Sequence, residues 1–225
     1  MSVKILDPFL VGRTYTVAQT AKLAGTSPGT IRNWLFGYAD KMVAVLGKRQ
    51  PTANTLERVS FLELAELIVV ARFRKRGIDL ERIRDAHRFA KSEWDLPYPF
   101  ATLNLTTLGG NVLRRFDEEH PAGITFAVLS SPGQYVLPEM VQVELDNFDF
   151  EPSELFARRW HPYGREVPIV VDPRFGGGMP TIEGRGVTIS MILRRRKAGE
   201  RASSIASDFG IKTSAVEEVI RREAA

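Results

Sequence analysis

The sequence predicts an α+β chain with a helix-turn-helix at each end and a β-rich stretch between them. Three observations lead there: one residue spacing that occurs twice, capping residues placed where that spacing needs them, and a middle segment of short apolar runs broken by Gly and Pro. The spacing is Ala21, Gly25, Ile31 and Trp34 near one end, and Ala206, Gly210, Val216 and Val219 near the other. In both, a small residue lets two helices approach, and a glycine four positions on supplies a turn with positive φ. Two apolar residues three apart then line the buried face of the second helix.

The elements follow in order. Thr16 with Gln19 forms a capping box that opens the first helix, and Gly25 is suited to end it. Ser27 as N-cap and Pro28 at the first helical position open the second. Residues 37–59 are rich in turn formers around one short apolar patch, as a small hairpin or wing would be. Ser60 and Glu63 make a second capping box ahead of an apolar helix from Phe61 to Arg76. Gly77 stops that helix, and Asp79 caps one to about Ser92 with Leu80, Ile83, Ala86 or His87, and Ala90 on one face.

Beyond it, ATLNLTTLGGNVLRRF alternates about a Gly109–Gly110–Asn111 turn, and ITFAVLSSPGQYVL turns at Ser131–Pro132–Gly133. VQVELDNFDF is a further extended run and VPIVVD (167–172) a last buried strand. GGGMPTIEGRG then leads into helices at about 189–197, 202–209 and 213–223. The expected domains are a winged helix-turn-helix over 1–94, a β-rich linking and dimerisation segment over 95–168, and a trihelical, helix-turn-helix-like domain over 169–225.

Composition narrows the function. A 44% hydrophobic content in 225 residues calls for a packed core. No apolar run approaches the roughly 18 residues that would span a bilayer, and the N-terminus carries no secretory leader pattern. Zero cysteines exclude disulfides and thiolate metal sites, and a cytoplasmic protein is expected. The net charge of +4 is segregated: 16 Lys and Arg against 9 Asp and Glu over 1–94, 5 against 11 over 95–170, and 10 against 7 over 171–225. A basic head beside an acidic middle points to a polyanion as the partner of the head.

The two helix pairs differ in what they turn outward. In the first, Ser27, Pro28, Gly29, Arg32 and Asn33 face out, with Thr30 at the edge. Arg and Asn are the side chains that pair bidentately with guanine and adenine in the major groove. Lys48 and Arg49 on the wing, and Arg74 and Arg76 with Arg72 and Lys75 at a helix end, are placed to touch phosphates. The helix dipole alone accounts for the second group almost as well. In the C-terminal pair the outward set is Lys212, Thr213, Ser214, Glu217, Glu218 and Arg221. Its adjacent carboxylates would be repelled by phosphate, so the N-terminal pair is expected to read DNA and the C-terminal one to meet protein. One winged helix offers few contacts, which makes a homodimer on paired half-sites the expected assembly.

Residues 15–92 resemble the MerR-like winged helix-turn-helix family through YTVAQTAKLAGTSPGTIRNW and FLELAELIVVARFRKRGIDLERI. Residues 169–223 resemble a short domain of unknown function found in bacterial antitoxins, through IVVDPRFGGGMPTIEGRGV and the helical tail after it. The whole arrangement looks like a VapB-type antitoxin. That resemblance implies operator DNA and a PIN-like ribonuclease toxin as partners, with neutralisation by the C-terminal domain and autoregulation by the head. Because such a ribonuclease holds its metal with clustered carboxylates, Arg194, Arg195 and Arg201, or Arg221 and Arg222, are the expected toxin contacts. The alternative is a MerR-like transcriptional regulator that holds a small ligand in the middle segment.

Other signals read as structural. GGGMPTIEGRG lacks the spacing of a phosphate-binding loop. His87, His120 and His161 stand in no metal-ligand pattern. Asp117, Glu118 and Glu119 suit a solvated loop, and Trp160 to Tyr163 a packed aromatic corner. No catalytic constellation, metal site or cofactor is expected.

Overall fold

A computed structural model describes residues 6–38, 43–46, 58–121, 123–131, 134–150 and 155–223. The chain forms two compact units, residues 1–158 and 159–225, and mixes helices with short antiparallel strand pairs in an α+β arrangement.

The first unit opens with α1 (Pro8–Val11), β1 (Tyr15–Thr16), α2 (Val17–Ala24) and α3 (Pro28–Phe36). β2 (Arg58–Val59) returns antiparallel to β1, with Tyr15 opposite Val59 and Thr16 opposite Arg58. The wing expected over 37–59 lies largely outside the described residues, and Lys48 and Arg49 lie wholly outside them. α4 (Phe61–Lys75) starts at the Ser60–Glu63 capping box, in which Ser60 N–H donates to Glu63 Oε2 at 2.8 Å and Glu63 N–H to Ser60 Oγ at 3.2 Å. Its apolar residues surround the helix, as suits one buried on all sides, and Leu62, Leu64, Leu67, Ile68, Val69, Val70 and Phe73 are fully buried. α5 (Leu80–Trp94) follows the expected periodicity and buries Ile83, Ala86, His87 and Ala90.

The buried polar group at this centre is satisfied. Glu66 on α4 accepts from His87 Nε2 at 2.9 Å and from the Phe100 N–H at 3.1 Å. Phe100 belongs to a short 3-10 turn, Pro99–Ala101, and packs edge-on against His87.

The middle of the chain departs from the sequence expectation of a β-rich segment. ATLNLTTLGGNVLRRF is not a hairpin: α6 (Leu103–Glu119) runs straight through Gly109–Gly110–Asn111. Its buried residues Leu105, Gly109, Val112, Leu113 and Phe116 recur at helical spacing, which outweighs the local Leu/Thr alternation. The glycines are there for contact. A Cβ on Gly110 would stand 2.3 Å from the Tyr135 carbonyl oxygen and 2.8 Å from Val136 Cα. The hairpin that presses on it is the expected one: β3 (Val128–Ser131) pairs antiparallel with β4 (Gln134–Val136).

VQVELDNFDF also differs, forming α7 (Glu139–Asp146) and then β5 (Phe148–Phe150). α7 buries Val141 and Leu145 and directs Glu144 at Arg72 of α4, whose Nε donates at 2.6 Å. Asp117 is not on a solvated loop. It lies on α6, accepts from Arg82 NH2 at 2.5 Å, and accepts the Phe126 and Ala127 N–H groups at 2.7 and 3.2 Å.

β6 (Ala157–Trp160) leads into the second unit, where β7 (Ile169–Val170) pairs antiparallel with β8 (Thr181–Ile182). Three helices follow: α8 (Ile189–Lys197), α9 (Ala202–Phe209) and α10 (Thr213–Glu223). They close over a core of Ile169, Ile182, Ile192, Ile205, Val216 and Val219. Buried Asp172 is bound twice by the Arg174 guanidinium, at 2.9 and 2.7 Å, which stabilises the turn before the glycines at 176–178. Among the described residues no helix is long and apolar enough to cross a membrane.

Candidate nucleic-acid interface

The α2–α3 pair is built by its caps. Thr16 N–H donates to Gln19 Oε1 at 2.8 Å and Gln19 N–H to Thr16 Oγ1 at 3.2 Å, so the capping box is complete. Gly25 ends α2 in the left-handed conformation, φ 67° and ψ 42°. Ser27 restarts the chain by accepting the Thr30 N–H at 3.1 Å, and Pro28 occupies the first turn, where its missing donor costs nothing. Ala21, Ile31 and Trp34 are buried between the helices, so α3 is oriented by the residues that the spacing singles out.

Packing of Ile31, Trp34 and Leu35 leaves the opposite face of α3 outward. Arg32 is exposed and Asn33 half-buried on that face. Ser27 and Thr30 stand at its N-terminal end, where their hydroxyls are 2.8 Å apart and hold the first turn. The structure thus brings together Ser27, Thr30, Arg32 and Asn33. Arg74 and Arg76 lie elsewhere, at the C-terminal end of α4. Arg74 donates to the Ile78 carbonyl at 2.7 Å and Arg76 is the C-cap, so both complete a helix end.

The second unit repeats the geometry with different chemistry. α2 and α9 begin at 17 and 202, and α3 and α10 at 28 and 213, each pair 185 positions apart. Gly210 turns with φ 62° and ψ 38°, nearly the values of Gly25. Glu217 and Glu218 occupy the positions of Arg32 and Asn33. Glu218 is drawn back onto Arg222, at 2.5 Å, and Arg221, and their hydrogen bonds hold its carboxyl below the usual range. Arg195 is likewise engaged internally, by Glu200 and by Asp208 at 2.5 Å. Arg194 and Arg201 remain exposed.

An open groove of about 750 Å3 runs along α10, lined by Glu166, Arg185, Lys212, Glu218, Arg221 and Arg222 among others. Arg185 escapes a reading by motif, because only packing shows that it borders this groove beside Lys212 of the outward set. Beside Arg222, the Tyr163 hydroxyl donates to Glu223, and burial raises its pKa beyond the ordinary tyrosine value, with the Glu223 contact adding to the shift.

Residues 13–87, which hold this geometry, match the family described as "Putative DNA-binding HTH domain". Residues 169–221 match "Protein of unknown function (DUF433)". Similarity also runs along the whole chain. It is 28% identical over 215 residues to "Putative antitoxin VapB45" of Mycobacterium tuberculosis, covering 88% of each protein. It is 26% identical over 230 residues to "Uncharacterized protein Rv2308" of the same organism, covering 92% of this chain and 88% of that protein. The crystal structure of Rv2018 from Mycobacterium tuberculosis superposes with a TM-score of 0.78 at 27% identity, over 92% of this chain and 97% of the other. The likeness therefore spans both helix pairs and the segment between them.

Proposed function

We propose that this protein is a cytoplasmic antitoxin: a MerR-like winged helix-turn-helix regulator that binds its own operator and neutralises a PIN-like ribonuclease toxin. The observation that carries the DNA reading is the outward face of α3, where Arg32 and Asn33 project from a helix whose other face is packed. The near full-length similarity to a protein named as an antitoxin supports the toxin partner. Ser27, Thr30, Arg32 and Asn33 enter the major groove, with Arg74, Arg76, Lys48 and Arg49 toward the backbone.

The toxin is met by the second unit. Arg221 and Arg222 border the groove along α10, and an incoming carboxylate cluster can compete with Glu218 for their guanidinium groups. Arg195 is the weakest of the expected contacts, being committed to Glu200 and Asp208. A homodimer places two α3 helices on a roughly palindromic operator, half-sites one helical turn apart.

Binding of the full chain to its own promoter region, by footprinting and titration, tests the reading. Arg32→Ala is expected to cost about 1–3 kcal/mol at the operator and little on random duplex, whereas Glu217→Ala leaves operator choice unchanged. The reverse pattern would assign the two helix pairs wrongly. Co-expression with the product of the adjacent gene, read as growth and co-purification, tests the second half. Arg221→Ala with Arg222→Ala is expected to lose protection.

A further inference from the structure

Arg194 and Lys197 on α8, Arg201 directly before α9 and Lys212 directly before α10 have no carboxylate partner among the described residues, as is also true of Arg185 and of Arg196, which donates to the Glu200 carbonyl oxygen. All six are exposed. Glu200, the acidic residue beside them, is already held by Arg195, which also takes Asp208. A helix dipole favours cations at the C-terminal end of α8, so Arg194 and Lys197 have a local reason to be there. Arg201 and Lys212 have the opposite circumstance. Each precedes the positive end of a helix, where anions or Ser, Thr, Asp and Asn are preferred, and Arg201 makes no side-chain cap. The equivalent positions in the first unit are Thr16 and Ser27, which do cap. Folding alone therefore does not explain these two cations.

We propose that Arg194, Lys197, Arg201 and Lys212 of the second unit grip the phosphate backbone of duplex DNA without reading its sequence. The helix-turn-helix supplies the geometry. In that arrangement the first helix of the pair crosses the backbone while the second lies in the major groove. α9 is the crossing helix here, and Arg201, with Lys197 and Arg194 in the preceding turns, stands where it meets the strand. Glu217 and Glu218 take the places of Arg32 and Asn33, so α10 lacks the bidentate donors that α3 offers to guanine and adenine. A phosphate beside Arg201 or Lys212 answers both the side chain's charge and the helix end it faces. An acidic protein surface would match the charge but not this arrangement of helices.

The inference rests on the reading of the chain as a DNA-binding protein, and its test is separate from that of the operator contact. The full chain is titrated with a labelled random-sequence duplex from about 50 to about 200 mM KCl, where the slope of log affinity against log salt counts phosphates neutralised. The variant carrying Arg194→Gln, Lys197→Gln, Arg201→Gln and Lys212→Gln is expected to lose about 3 to 4 from that slope, at roughly 0.9 per contact. Its ratio of operator to random-duplex affinity stays that of the wild type, and its melting profile is unchanged. Replacing Arg194 and Arg201 by lysine keeps the slope, since a point charge still meets a phosphate. Arg32→Ala removes the operator preference instead, so failure of the operator reading shows in that variant alone. An unchanged slope in the four-fold variant overturns the proposal. Loss of a co-purifying protein beside that unchanged slope would assign these cations to an acidic protein partner instead.

Discussion

Gly110 tests the assignment of α6, because two known effects act on it with opposite sign. Replacing a helix-interior glycine by alanine ordinarily stabilises a protein by about 1 kcal/mol, through helix propensity and a less flexible unfolded chain. At Gly110 the added methyl would lie 2.3 Å from the Tyr135 oxygen, 2.8 Å from Val136 Cα and 2.9 Å from the Tyr135 carbonyl carbon. These are well inside the ~3.5 Å at which carbon atoms attract. All three are backbone atoms of β4, so no rotamer change relieves them and the hairpin has to move. Overpacking of this kind costs typically about 1–3 kcal/mol and occasionally more. The net expectation for Gly110→Ala is a loss of about 1–2 kcal/mol, or roughly 2–8 °C in Tm for a chain of this size.

Gly109→Ala is the control. Its methyl would meet the Leu105 and Leu137 side-chain ends at 2.9 and 3.3 Å, and these can turn away. That variant is expected to be near neutral or slightly stabilised. Urea unfolding followed by circular dichroism measures both. If Gly110→Ala raises stability, α6 does not press on β4 and the account of the middle segment is wrong.

Two further outcomes follow from buried and paired charges. Glu66→Ala strands the Phe100 N–H and the His87 ring nitrogen, at about 1–3 kcal/mol for each buried donor, while Glu66→Gln retains an acceptor and costs less; equal losses in urea unfolding would refute the hydrogen-bond reading. Glu200 and Glu218 are held below the ordinary carboxylate range, chiefly by hydrogen bonds from Arg195 and from Arg222 with Arg221. A depressed folded pKa contributes stability above the unfolded value of about 4.3 and loses it as pH falls through the folded one. Melting temperatures should therefore drop on acidification below about pH 4, and less steeply in the Glu200→Gln, Glu218→Gln variant; identical acid profiles would count against it.

What the sequence determined by itself was local. Thr16 with Gln19 and Ser60 with Glu63 lie within one turn of each other, so their capping boxes form wherever the helix starts. The turns at Gly25 and Gly210 depend on a single residue's φ, and the three C-terminal helices fall at the spans that the periodicity indicates. The outward set on α3 was legible for the same reason: a helix pinned by Ile31 and Trp34 has only one face left.

The tertiary structure decided whatever depends on partners distant in sequence. Gly109–Gly110 carries the same local signal as a hairpin turn, and only the approach of β4 makes it a contact surface. Glu144 meets Arg72 across 72 positions and Asp117 meets Arg82 across 35, so Asp117 does not belong to a solvated loop and Glu144 sits on a helix, not in an extended run. Which arginines of the second unit are engaged and which are exposed was likewise invisible in composition, because Arg194 and Arg195 are neighbours with opposite fates. Successive helical residues point about 100° apart, and the fold turns Arg195 toward Glu200 and Asp208 while leaving Arg194 to solvent.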